Sequence, residues 1–137
     1  ESVKVVDSAV YCYVNNSDSV TRNTDISAIE SVDNLLIKLY ELCHVNPDLS
    51  ELYKQSAVRE VLSLIRNCAR LESNQLFKPV SNMVCQSYFS YLMEGFASHR
   101  YSRRFISEVK NRITIRLLLA RRVMAAIGFT KFVYGVR

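Results

Sequence analysis

Glycine and proline are scarce in this chain, three and two among 137 residues. Sandwiches and barrels need many turn residues, so the scarcity argues against them and favours long helices with few connections. No long uncharged apolar run occurs either. Val123–Val136 is the nearest approach, but it is short and contains Lys131, whereas a bilayer span needs about 20 apolar residues. A transmembrane span is therefore not expected, although a weak, superficial membrane contact of this stretch is compatible with its length. Acidic side chains are nearly absent from the last third. From Arg100 to Arg137 there are ten basic residues and one acid, Glu108, whereas the first 99 residues carry eight basic and twelve acidic ones.

The signatures of chemistry are missing as well. His44 and His99 stand in no metal-type spacing with Cys, Asp or Glu. Gly95, Gly128 and Gly135 cannot build a phosphate loop, and no serine lies in a nucleophile elbow. The expectation is a protein without catalysis, cofactor or metal. Cys12, Cys43, Cys68 and Cys85 form no CxxC pair and lie in apolar runs. That suits four buried thiols in a reducing compartment. The alternative is two disulfides in a secreted, cytokine-like bundle, for which Asn15-Asn16-Ser17 would supply a glycosylation sequon.

What is present is helical periodicity. Val3, Val5, Val6, Ala9, Val10, Tyr13 and Val14 predict a first helix over about residues 2–15, with a strand the alternative for so many valines, followed by a polar loop to Asp25. Ser27 and Glu30 have capping-box spacing ahead of Ile29, Val32, Leu35, Leu36, Leu39, Leu42 and Cys43. Asn46-Pro47 ends that helix. Asp48 with Glu51 is placed to cap the next, whose apolar side is Leu52, Val58, Val61, Leu62, Ile65, Cys68 and Ala69. Pro79 suits the first turn of a further helix. There Val80, Met83, Val84, Ser87, Tyr88, Tyr91, Leu92, Gly95 and Phe96 hold the period, and Cys85, Phe89 and Met93 widen the stripe. So broad a face predicts that Pro79–Ser98 is the central helix, with Val84, Tyr88, Tyr91 and Leu92 buried. Ser102 can cap a last helical region, one long helix or two short ones, since no breaker precedes Gly128. The expected fold is all-α, a single compact bundle of five to seven helices around a central helix.

Two readings of the basic third compete. Nucleic-acid binding needs cations along one face, but on one ideal helix Arg116, Arg121, Arg122 and Lys131 scatter to about 0°, 140°, 240° and 60°. That scatter argues against it. Capture of a partner's amphipathic helix suits the tyrosines, Phe89 and Met93 of the Tyr88–Phe96 segment better.

The layout resembles the Bcl-2 family of apoptosis regulators in its short, divergent viral members. The residues that carry the resemblance are the amphipathic Val5–Val14 segment with its polar loop, and a homology-3-like stripe of four apolar residues. That stripe is either Val58, Leu62, Ile65 and Cys68 with Asn67 in the acid's place, or Leu35, Leu39, Leu42 and Val45 with His44 there. A third feature is Arg100-Tyr101-Ser102-Arg103, similar to the family's Asn-Trp-Gly-Arg motif with the first three residues replaced. The resemblance implies a Bcl-2-like bundle that blocks cell death by binding the death-motif helix of pro-apoptotic proteins. It also implies a location in the host cytoplasm, with association to mitochondria. Arg103 would pair with the partner's aspartate, with Arg100 beside it and Tyr88, Tyr91 and Leu92 offering apolar contact. A homodimer is a further expectation, because a short bundle leaves apolar surface uncovered.

Overall fold

From Ser50 to Arg70 the chain forms one unbroken helix whose apolar side chains decide its place. Val58, Val61, Leu62, Ile65, Cys68 and Ala69 recur at helical period, and Ala57 and Leu64 widen the stripe; all eight are buried. A stripe this wide must meet neighbours on more than one side. The computed structural model describes residues 26–71 and 74–135. Among these residues the elements are α1 (Ile26–Val45), a 3-10 turn (Pro47–Leu49), α2 (Ser50–Arg70) and a second 3-10 turn (Asn74–Leu76). They continue with α3 (Phe77–Val84), α4 (Ser87–Met93), α5 (Gly95–Ser98), α6 (Phe105–Leu119) and α7 (Val123–Val133). The fold is an all-α bundle, and α2 is its centre, touching α1, α4, α5, α6 and α7. The helix predicted over residues 2–15, with Cys12, lies outside the described residues.

The expected central helix, Pro79–Ser98, is instead three short pieces. The chain turns at Cys85-Gln86, where Gln86 is extended (ψ 147°), and again at Glu94. The breaks divide the wide apolar stripe. Val80, Met83 and Val84 are buried on α3, which packs on α1 and α7. Phe89, Leu92 and Met93 are buried on α4, which packs on α1 and α2. One straight rod could not turn both sets inward. Val84 and Leu92 are buried as expected, whereas Tyr88 and Tyr91 are only half-buried.

The helix starts differ from the expected caps. Ser27 lies inside the first turn of α1, and its carbonyl accepts the Ser31 hydroxyl at 3.0 Å. Asp48 falls in the 3-10 turn, and Leu49, at the N-cap of α2, makes no side-chain capping bond. Arg104 rather than Ser102 is the N-cap of α6.

The last region is two helices joined by a tight reversal. The amides of Arg121 and Arg122 donate to the carbonyls of Leu118 and Leu117, both at 2.8 Å, and Arg121 has a φ of 60°. This is a Schellman ending with arginine at the left-handed position that glycine usually takes. The break also removes the single-helix wheel from which the scatter of the basic residues was read. Arg116 belongs to α6, Arg121 and Arg122 to the turn, and Lys131 to α7.

Candidate partner-binding site

Over Phe105–Thr114 the helix α6 is inverted relative to an ordinary surface helix, whereas Ile115 and Leu118 further along are core. Its buried positions include Glu108, Asn111 and Thr114, while Phe105 and Ile106 are 75% and 68% exposed and Val109 and Ile113 are also exposed. Burying polar groups costs free energy unless they find partners, and here each does. The Asn111 carbonyl oxygen accepts from Arg66 at 3.4 Å and from the Tyr134 hydroxyl at 3.2 Å. Thr114 and Thr130 meet at 3.5 Å across the α6–α7 seam, and each can donate to a carbonyl of its own helix, at 3.0 and 2.8 Å. Glu108 receives the amides of Tyr101 and Ser102 on one oxygen, both at 2.9 Å. Its other oxygen lies 3.2 Å from the Arg112 Nε but has no aligned N–H. The attraction there is between charges.

Those bonds make a fixed loop of the α5–α6 connection. The Arg100 guanidinium folds back on it, donating to the carbonyls of Ser102 (2.7 Å) and Arg103 (2.8 Å). The Tyr101 hydroxyl donates to the Gly95 carbonyl at 2.8 Å, and its ring meets that of His99 edge-on at 4.9 Å. Burial pushes this phenol up to about 12, against the opposing pull of the Arg59 charge. The Arg103 and Arg104 side chains stand exposed just before Phe105. Phe105, Ile106, Val109 and Ile113 then share an arc of about 100° on the helix. Two cations thus open an outward apolar row more than two turns long.

The structure brings the sequence-predicted residues into two groups. Arg100 and Arg103 share the loop, where Arg100 is committed to carbonyls and Arg103 is presented outward. Tyr88 and Tyr91 share the seam between α1 and α4. There the Tyr88 hydroxyl donates to Asp33, and its acidity is lowered, by burial first and then by that bond and charge. Tyr91 meets Tyr40 edge-on at 5.2 Å, stacks on His44 at 5.5 Å and lies 4.4 Å from the Lys54 Nζ. Leu92 is completely buried and is core alone. Of the homology-3-like stripes, Val58, Leu62, Ile65 and Cys68 are core, whereas Leu35, Leu42 and Val45 are exposed on α1 and only Leu39 is buried.

Cys43, Cys68 and Cys85 are free thiols. The two-disulfide pattern would need at least one bond among these three, so it is not formed. Cys85 is also exposed, against the expectation of burial, because it sits where the backbone turns between α3 and α4. No protein-family model matches the chain, and no curated protein or solved structure matches it either.

Proposed function

We propose that the protein is an interaction module that captures an amphipathic helix. The row on α6 carries this reading. Over Phe105–Thr114 the buried side chains of α6 are polar and the exposed ones apolar, an arrangement that gains stability when a partner covers Phe105, Ile106, Val109 and Ile113. The exposed Arg103 and Arg104 at its head favour a partner with an acidic residue beside its apolar anchors. Following the Bcl-2 resemblance, that partner is the death-motif helix of pro-apoptotic proteins, and its capture would inhibit apoptosis. The partner's anchors would lie along the row and its aspartate would meet Arg103.

Titration with a panel of pro-apoptotic helical peptides tests this. A charge-assisted pair is worth about 1.5–3 kcal/mol, so Arg103→Ala should weaken binding by about ten-fold or more. Ile106→Ser should abolish binding while leaving helical content unchanged. If no such peptide binds at micromolar concentration, the reading fails.

A further inference from the structure

A second set of exposed apolar side chains lies on α7, the helix that packs against α6. Phe132 is 85% exposed and Met124 69% exposed, and they stand two turns apart with Ala125 and Gly128 exposed between them. A side chain built on Gly128 would meet nothing within 4 Å. Among the described residues nothing stands over Gly128 at the middle of this face, so it is open there rather than grooved. The stretch of chain that carries it has charge of one sign. No acidic residue occurs after Glu108, while Lys110, Arg112, Arg116, Arg121, Arg122, Lys131 and Arg137 all do. Lys110 and Arg112 turn inward, donating to the carbonyls of Val133 (2.9 Å) and His99 (3.3 Å). Arg116, Arg121 and Arg122 stand exposed.

Open apolar side chains beside cations match one kind of surface well. A bilayer needs no shape-complementary groove. It takes up apolar side chains at headgroup depth, while arginines meet the lipid phosphates. Nucleic acid would use the cations but gain little from Met124 and Phe132. No described helix is long and apolar enough to cross a membrane, so the contact is superficial. We propose that the outward face of α7, with Arg121 and Arg122 at its start, docks on an anionic phospholipid bilayer with the helix lying flat.

The full chain should be sedimented with vesicles of phosphatidylcholine alone and with about one third phosphatidylserine. Binding should be about ten-fold or more tighter to the anionic vesicles and should fall at high salt. Met124→Ser combined with Phe132→Ser should weaken it by about ten-fold or more with unchanged circular dichroism. Arg122→Gln should weaken it as well. Ile106→Ser, on the α6 row, should leave vesicle binding intact, so that failure here and failure of helix capture are told apart. Equal binding to both vesicles, or none, would overturn the proposal. So would indifference to the Met124 and Phe132 changes, or a dimer that those changes dissociate.

Discussion

Arg121 holds a left-handed backbone without being glycine, and a side chain there costs about 1 kcal/mol. Arg121→Gly should therefore raise stability by about that amount, read from the urea midpoint. Gly95 is the opposite case. A Cβ there would stand 2.7 Å from the Lys54 Cβ and 2.9 Å from its carbonyl carbon. Because helix backbone cannot yield cheaply, Gly95→Ala should cost about 1–3 kcal/mol. Burial pushes the Cys68 thiol from 9.0 up to about 11 and, as the largest cause, the Tyr101 phenol from 10.0 up to about 12. Both acids are held neutral more firmly in the folded chain than in the unfolded one. Their contribution is therefore complete below the ordinary value and is lost as pH rises through the raised one. Urea midpoints should hold up to about pH 9 and fall towards pH 12, and Cys68→Ala should flatten the fall between about pH 9 and 11.

Among the elements, α2 touches five others, whereas α6 rests chiefly on α7. Amide exchange should accordingly be slowest in the middle of α2 and faster in α6; equal protection would contradict this packing. Leu92→Ala on α4 should cost about 2–5 kcal/mol, as for any fully enclosed leucine. The sequence made α1 and α2 readable because their apolar residues keep one period and Asn46-Pro47 separates them. The breaks at Gln86 and Arg121 were not readable. Neither uses glycine or proline, and each is made by backbone hydrogen bonds that any residue can supply. The α6 row escaped for another reason. Apolar residues lie all around that helix, so periodicity could not tell its inner side from its outer. The one available signal was the polar trio Glu108, Asn111 and Thr114, spaced three apart as a core stripe would be. Arg103 is singled out in the sequence by the motif resemblance alone, and the structure leaves its side chain exposed. The diversion of Arg100 to loop carbonyls depends on a fold that only the structure shows.

In the whole molecule, the single acid of the last third is drawn inward onto the loop amides, and the cations around it are left to shape the field outside. The described residues before Arg100 carry six basic and seven acidic side chains, whereas the last 38 residues carry ten basic ones and one acid, so the positive charge is concentrated in the C-terminal third. In the field of an acidic helix or an anionic surface the bundle would feel a torque before contact and arrive with its C-terminal third leading. Association should then slow as salt is added while dissociation changes little, which stopped-flow mixing with an acidic helical peptide can measure. Burying Glu108 thus does more than fix a loop. It withdraws from the surface the one negative charge of the last 38 residues, which would otherwise oppose this orientation.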